Sequence, residues 1–392
     1  MYAPGRTRED SKLTSDVQIH GHCDEKYQPV REAFTENFRQ GLEVGASLAV
    51  TEGGKYVVDL WGGYADRDAG KPWEADTLVI VYSTTKIPLV LCALMLVDRG
   101  QLDLDAPVAQ YWPEFAQAGK EKIPVRYLFS HSAGLPGFDE KTPLEALYDW
   151  DRVVAKLASQ EPWWEPGTAS GYHGFTMGFL LGELVRRITG KSLGTFFRAE
   201  VAEKLVADFH IGLPKQHRSR LAGVAQERRR TFEVEPGSIA ARWVENQPSP
   251  LDPQWSSNAC QSAEIPSVNG HGNARSIARV GSVVAMGGEL DGFRLLSRET
   301  LDKALEEQIY LTDLCIGEPV RFGLGMGLNS KEFAFPNPNT LHWGGYGGSF
   351  CIMDLDAGIC CAYAMNHLLP EFGADPRNER IQQALFGVME GK

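Results

Sequence analysis

A serine and a lysine stand three positions apart in the segment Ser83-Thr84-Thr85-Lys86, directly after a short apolar run over 78–82. Residues three apart share one face of a helix, so the amine of Lys86 is predicted to lie one turn beyond the Ser83 hydroxyl. A serine hydroxyl is a poor nucleophile unless a base takes its proton, and a lysine can help when burial or neighbouring charge lowers its pKa. The pair indicates acyl transfer through Ser83, although this spacing alone also fits a helix-capping serine beside a solvated lysine.

Two further segments carry groups that this chemistry needs. Tyr172 lies in Gly171-Tyr172-His173-Gly174, before a helical pattern, and a phenolate beside an ammonium can act as a general base because the positive charge lowers the phenol pKa. The segment 342–349 reads HWGGYGGS, and glycines at that density bring backbone N–H groups close to a ligand. One of those N–H groups could form an oxyanion hole with the N–H of Ser83. Taken alone, the tyrosine would be a packing residue and the glycines a hairpin turn.

In this order the three segments resemble the S-x-x-K, Y-x-N and K-T-G series of class C β-lactamases and penicillin-binding proteins, and more closely the family VIII carboxylesterases. The resemblance covers roughly Gln28 to Phe386 and implies that Ser83 is the acylated nucleophile, with Lys86 and Tyr172 as its activating pair. It is supported by the flanking stretches VDLWGGYADRDAGKPW, GQLDLDAPVAQYWPEF, VRYLFSHSAGLPG, EPGTASGYHGFTMGFLLGE and NGHGNARSIARV.

The resemblance also implies how the glycine-rich segment is used. Family VIII esterases often carry W-x-G in place of K-T-G, so Trp343-Gly344-Gly345 matches that element and contributes to substrate binding. The second oxyanion N–H would then belong to Tyr346. A register displaced by one residue, with His342 in place of the lysine, would assign that N–H to Gly345; we favour the tryptophan register.

Two departures from the lactamase pattern bear on the substrate. Gly174 stands in place of the Y-x-N asparagine and Trp343 in place of the K-T-G lysine, positions that in the lactamases handle the lactam amide and the substrate carboxylate. Without the charged anchor, small, short-acyl, neutral esters are favoured. Weak β-lactamase activity, acyl transfer, and D-amino-acid amidase or peptidase activity on the same scaffold remain alternatives, as does a non-catalytic lactamase-like binding module.

Aromatic residues near these motifs are candidate pocket walls. His173 is a candidate because it adjoins Tyr172, and Trp163 and Trp164 could wall an apolar acyl or alcohol pocket. The tryptophans could equally be core aromatics. His131 and His271 are predicted to be structural or to line loops.

Two other patterns are not predicted to carry chemistry. The segment 190–194, GKSLG, matches the G-x-S-x-G nucleophile elbow, but a helical pattern precedes it where a strand is required, and Gly190 fits a helix C-cap, so Ser192 is not expected to be the nucleophile. His20 and His22 precede Cys23 in a polar segment that is a weak candidate for metal binding. No metal and no cofactor are predicted.

Hydrophobic periodicity places these motifs on elements. Helices are predicted at 29–40, 87–98, 175–188, 277–285 and 378–389, and strands at 46–51, 56–61, 78–82, 321–328, 349–355 and 359–365; the first twenty or so residues and the stretch 248–269 are predicted to be irregular. Pro88 conflicts with a helix that starts at Ser83, because it would remove a hydrogen bond in the second turn.

Strands at both ends with helices between predict an α+β fold. With the resemblance, this is a β-lactamase-like antiparallel sheet flanked by N- and C-terminal helices, with an inserted, mostly helical domain. The predicted boundaries are 1–85 with 290–392 for the sheet domain and 86–289 for the helical domain, and the active site is expected at their interface.

The amino-acid composition limits the classes of partner that the protein is expected to bind. The 392 residues carry a formal net charge of −12, which argues against nucleic acid or anionic membrane as the main partner. Seven scattered cysteines show no disulfide or zinc spacing, and no apolar run near the N-terminus resembles a secretory signal. The sequence predicts a cytoplasmic enzyme with a small-molecule ester as its partner, and leaves the oligomeric state open.

Overall fold

The structure, a computed structural model, describes residues 17–226, 234–250, 252–369 and 375–391. Its framework is a ten-stranded, mainly antiparallel sheet in the order β1-β3-β2-β15-β14-β13-β12-β11-β10, with β4 paired to β3. The strands are β1 (Ile19–Cys23), β2 (Gly45–Glu52), β3 (Lys55–Asp66), β4 (Lys71–Pro72), β5 (Val79–Ile80), β6 (Ala225–Gln226), β7 (His271–Gly272), β8 (Glu289–Leu290), β9 (Phe293–Arg294), β10 (Ile309–Thr312), β11 (Pro319–Phe322), β12 (Gly327–Leu328), β13 (Thr340–Gly344), β14 (Phe350–Asp354), β15 (Ile359–Met365) and β16 (His367–Leu368).

The centre of the sheet joins the two ends of the chain. β2 and β3 form the predicted hairpin, and β2 pairs on its other side with β15, where Val50 lies opposite Cys361. Every residue of β15 is buried, as its continuous apolar run over 359–365 requires. The predicted contribution of both chain ends to one antiparallel sheet is confirmed.

The helices fill the space around and between these strands. Within the described residues the α-helices are α1 (Gln28–Arg39), α2 (Lys86–Asp98), α3 (Val108–Tyr111), α4 (Arg126–Phe129), α5 (Trp150–Ser159), α6 (Thr176–Thr189), α7 (Leu193–Phe197), α8 (Glu203–Leu205), α9 (Ile239–Asn246), α10 (Asn258–Ser262), α11 (Ala274–Ala285), α12 (Arg298–Leu305) and α13 (Pro376–Met389).

The helices divide into two groups by what they cover. The terminal helices α1 and α13 pack against each other, and α11 packs along β2, β14 and β15. The helix α2 packs instead on α6 and α7 and is almost entirely buried, since apolar residues surround its axis. The helix α11 lies inside the range 86–289 predicted for the helical domain and packs on the sheet.

Three local predictions were wrong. The stretch 321–328 is not one strand, because a turn at Gly323 and Gly325 separates β11 from β12. His20 and His22 lie on β1, an ordered edge strand paired with β3, although residues 1–16 of that segment lie outside the described part. The stretch 248–269 contains a 3₁₀ turn (Pro253–Ser256) and α10, so it is more regular than expected.

No helix in the described ranges combines the length and the apolar character that crossing a membrane requires.

Candidate active site

Ser83 lies at a sharp corner between β5 and α2. The preceding residue, Tyr82, has φ 44° and ψ −128°, an unusual conformation for a residue with a side chain. Its ring is 4% exposed and makes edge contacts with Tyr346 and Trp255, which hold the corner in place. Such strain persists only where the surroundings over-determine it, and here it presents the partly buried Ser83 side chain away from the chain path.

The helix after Ser83 begins later than its sequence suggests. Ser83–Thr85 form one 3₁₀ turn, and the α-helix starts at Lys86. Pro88 therefore falls in the first helical turn, where backbone N–H groups have no intrahelical partner, and the expected loss of a hydrogen bond does not occur.

The amine of Lys86 is buried and has three oxygen neighbours. Its Nζ lies 3.3 Å from Ser83 Oγ, 2.8 Å from the carbonyl oxygen of Gly174 and 3.1 Å from that of Ser267. The side chain is fully buried, and the cost of desolvating its charge lowers the pKa of Lys86 well below the usual lysine value. The two carbonyl oxygens accept hydrogen bonds from the amine, and Ser83 Oγ is its third neighbour.

The phenol of Tyr172 completes the contact around the serine. Its hydroxyl donates to Ser83 Oγ at 2.7 Å, and Lys86 Nζ lies 4.8 Å from the centre of its ring. The loop is held by the buried carboxylate of Asp313, which accepts from the Tyr172 N–H at 3.0 Å and from Ser170 Oγ at 2.8 Å. Asp313 was not identified from the sequence, where nothing links it to position 172.

The pKa of Tyr172 does not shift in the predicted direction. Burial is the largest influence on Tyr172 and raises its pKa above the usual tyrosine value, while contacts with Ser83 and Trp343 oppose the rise. Burial likewise lowers the pKa of Lys86. For both groups burial disfavours the charged form.

The glycine-rich segment brings a strand edge to the nucleophile. The Gly345 N–H donates to the Ser349 carbonyl at 2.7 Å, and Ser349 Oγ donates to the Val81 carbonyl at 2.9 Å and lies 3.0 Å from Thr84 Oγ1. These bonds fix the turn beside the Ser83 corner. They also engage the Gly345 N–H within the turn.

The side chains of β13 distinguish the two registers. Trp343 stacks on His131 and lies 6.2 Å, ring to ring, from Tyr172, so it is on the site face of the strand. His342 points to the other face against Phe335, and burial lowers its pKa to about 4. This alternation favours the register in which Trp343, followed by Gly344 and Gly345, replaces K-T-G.

Three residues that were predicted to line the substrate pocket make other contacts in the structure. His173 is fully buried: Nδ1 donates to the Gly171 carbonyl at 2.6 Å and Nε2 accepts from the Leu135 N–H at 3.2 Å, so it supports the loop and does not line a pocket. Trp164 packs against Gly171 and edge-on against His173, and so also supports the loop. Trp163 donates to Asp139 at 2.8 Å on the outer side.

Residues that sequence reasoning did not assign to the site also surround the phenol. The ring of His131, predicted to be structural or to line a loop, contacts both Tyr172 and Trp343, and its Nδ1 accepts from the His173 N–H at 3.0 Å. Trp243, on α9, lies 6.2 Å from the Tyr172 ring, and Gln247 follows one turn later. The only sequence feature that could have pointed to these two residues is their spacing: Trp243 and Gln247 are four positions apart in a helical pattern.

A possible metal site lies elsewhere in the described residues. Ligand atoms of Asp208, His210 and His217 fall within 4.8 Å of one another. However, Arg220 donates to both carboxylate oxygens of Asp208 and to Nδ1 of His217, so a guanidinium already occupies the place of a cation.

The weak metal candidate near the N-terminus has another contact. Nε2 of His22 lies 2.6 Å from Oδ1 of Asp24, so the histidine pairs with a carboxylate.

Ser192 is placed as a capping residue. Its hydroxyl accepts from the Thr195 N–H at the start of α7 and donates to Glu264 at 2.7 Å, while Gly190 ends α6 in the left-handed conformation. The motif around Ser192 is therefore a C-cap at Gly190, as predicted, followed by an N-cap at Ser192 that was not predicted.

A β-lactamase-like fold that brings a serine, a buried lysine and a tyrosine together defines a serine hydrolase of the esterase/β-lactamase type. The Beta-lactamase family profile matches residues 34–386, and the chain belongs to that family. It is 34% identical over 378 residues to the Esterase/beta-lactamase LipL of Mycobacterium tuberculosis (strain ATCC 25618 / H37Rv), a match that covers 90% of this chain and 84% of that protein.

Solved structures give the same result. A family VIII carboxylesterase superposes with a TM-score of 0.89 at 39% identity and covers 95% of this chain and 100% of that chain. A penicillin-binding protein homologue from Caulobacter crescentus superposes with a TM-score of 0.85 at 37% identity, over 95% and 100% of the two chains.

Proposed function

We propose that this chain is a serine carboxylesterase that hydrolyses small, short-acyl, neutral esters through an acyl-enzyme on Ser83. One observation carries the proposal: Ser83 Oγ lies 2.7 Å from the Tyr172 hydroxyl and 3.3 Å from Lys86 Nζ. A hydroxyl that meets both a proton donor and a buried neutral amine is arranged for nucleophilic attack.

In the first step Ser83 attacks the ester carbonyl, and the lone pair of Lys86 takes its proton. The tetrahedral oxyanion accepts hydrogen bonds from the backbone N–H groups of Ser83 and Tyr346, and removing one such donor costs about 2.7–4 kcal/mol in other serine hydrolases. The Tyr172 hydroxyl then passes a proton to the departing alkoxide and recovers one from the Lys86 ammonium.

In the second step water attacks the acyl-enzyme, and the same groups act in reverse. Tyr172 and Lys86 accept the proton of the water, and Ser83 leaves as a hydroxyl. The reaction then consumes one water per ester and regenerates the neutral amine. An alcohol in place of water would give acyl transfer, the related reaction on the same scaffold.

The aromatic character of the site supports neutral esters as the substrate class. Trp343 holds the position at which a lysine would attract a substrate carboxylate, and it stacks with His131 beside Tyr172. Aromatic faces bind apolar and neutral groups and offer no opposite charge to an anionic antibiotic.

The proposal is tested with a series of 4-nitrophenyl esters of increasing acyl length, run beside a chromogenic cephalosporin. We expect the short esters to be cleaved fastest and the cephalosporin weakly, and Ser83→Ala to abolish ester hydrolysis and labelling by a fluorophosphonate probe. Ser192→Ala is the matched control and should keep both, because that serine only caps α7. Ester hydrolysis at a near-normal rate by Ser83→Ala would refute the assignment.

A further inference from the structure

Two polar atoms near the candidate site are not explained by its catalytic groups. They are Nε1 of Trp243, on α9, and Oε1 of Gln247, the residue that follows this helix, and both atoms are buried. Within the described ranges, neither atom has a hydrogen-bond partner. A buried donor or acceptor without a partner is costly, on the order of 1–3 kcal/mol, so both atoms are candidates to bind a ligand.

The orientation of the Gln247 carboxamide is fixed by a hydrogen bond to α9. Its Nε2 donates to the Trp243 carbonyl at 3.1 Å, so the nitrogen and oxygen cannot be exchanged without setting two carbonyl oxygens against each other. Gln247 therefore presents an acceptor, while the indole of Trp243 presents a donor.

Both groups lie against Gly174, next to the reacting atoms. A β-carbon at Gly174 would lie 3.4 Å from Gln247 Oε1, 3.3 Å from the Trp243 ring and 3.6 Å from the Tyr172 ring. The Gly174 carbonyl in turn accepts from Lys86. Because Gly174 has no side chain, the side chains of Trp243 and Gln247 can lie close to the backbone of the Tyr172 loop.

From this arrangement, and resting on the proposed esterase function, we infer that Trp243 and Gln247 form a polar subsite for the acyl group of the substrate. The group that satisfies both atoms must donate one hydrogen bond to Gln247 and accept one from Trp243. A hydroxyl near the ester carbonyl has both capacities. The preferred substrates are therefore hydroxyacyl esters rather than plain alkanoyl esters of the same length.

The test compares 4-nitrophenyl 3-hydroxybutyrate with 4-nitrophenyl butyrate, read as the ratio of their kcat/KM values. We expect the wild type to prefer the hydroxy ester. Gln247→Met, which removes the acceptor but keeps the length of the side chain, should lower that ratio about five- to tenfold, as expected for one lost hydrogen bond. Trp243→Phe, which removes the donor and keeps a ring, should lower it as well.

Glu245→Gln, on the exposed side of the same helix, is the matched control and should keep the wild-type ratio. If Gln247→Met melts far below the wild type, Trp243→Phe decides. A ratio that both variants share with the wild type overturns the subsite while the esterase function stands. A wild type that hydrolyses neither ester overturns the proposed function, and the subsite with it.

Discussion

The burial of Lys86 affects the protonation state of its amine. Its side chain is fully buried and meets two carbonyl oxygens and one hydroxyl, with no carboxylate among these contacts. An ammonium in that position would be charged without a counter-ion, which desolvation penalises. Burial therefore favours the neutral amine, the form that could take the proton of Ser83.

The first prediction concerns Lys86→Met. The lowered pKa in the folded state and the ordinary value of about 10.4 in the unfolded state mean that the unfolded chain binds more protons between the two. The contribution of Lys86 to the free energy of unfolding must then rise with pH up to about 10.4 and is lost as pH falls toward the folded value. Urea unfolding at several pH values should show a shallower rise for Lys86→Met; parallel slopes would contradict a buried neutral amine.

The second prediction concerns Tyr172→Phe. This change removes the hydroxyl 2.7 Å from Ser83 and keeps the ring that packs between Trp243 and Trp343. We expect kcat/KM for a short ester to fall by about 10²–10⁴, the usual contribution of a positioned proton donor, with little change in Tm. Tyr111→Phe, which loses one hydrogen bond from the Asp103 N–H far from the serine, serves as the control and should keep wild-type activity.

At the scale of elements, the active site depends on how closely the β13–β14 turn approaches the corner after β5. A β-carbon at Gly345 would lie 2.2 Å from the Val81 carbonyl and 2.4 Å from Ser349 Oγ, far inside contact distance. At Gly344, one residue earlier, the nearest atom would be the Ser349 carbonyl at 3.6 Å. Only glycine permits the first approach.

The third prediction uses this difference. Gly345→Ala must push the turn away from Ser83, so we expect a lower Tm and a loss of most ester hydrolysis and fluorophosphonate labelling. Gly344→Ala meets only ordinary contacts and should keep the wild-type Tm. Equal melting temperatures for the two variants would show that the turn yields easily and that its close approach is not needed.

Sequence reasoning succeeded where the signal was local or where the family pattern supplied it. The spacing of Ser83 and Lys86 is set by one turn of chain, so their proximity followed from helical geometry alone. The meeting of Tyr172 with Ser83 depends on tertiary folding, and only the resemblance could suggest it. The contributions of Asp313 and Gln247 follow from the path of loops and from packing against α9, which periodicity does not encode.

At the scale of the whole molecule, a buried ion network ties α13 and the segment before β2 to the glycine-rich turn. Arg377, at the start of α13, is 0% exposed and donates to the carbonyls of Gly347 at 2.6 Å and His367 at 2.8 Å. It also pairs with Glu43 at 3.2 Å and Asp375 at 2.6 Å. The guanidinium thus connects residues from both ends of the chain to the turn that carries Tyr346.

The fourth prediction concerns Arg377→Met. Removing the arginine leaves the buried Glu43 carboxylate without its cation, and breaking a buried pair in this way costs about 3–5 kcal/mol. Denaturant unfolding should show that loss, and the double variant Glu43→Gln with Arg377→Met should be less destabilised than the sum of the single changes. Additive effects would mean that the two residues act independently.

The pairing of β2 with β15 also shapes how the protein is made. The N–H of Gly45 reaches a side chain 321 positions later, and β15 is among the last strands to be synthesised. Until then β2 has no neighbour on one side, and its unpaired backbone groups could attract another unfinished chain. The helices in the middle of the chain can form early from local contacts, but the sheet cannot be completed until β15 has been synthesised. During synthesis the open edge of β2 in one chain must therefore stay separate from the same edge in other chains until β15, which ends at Met365, has left the ribosome.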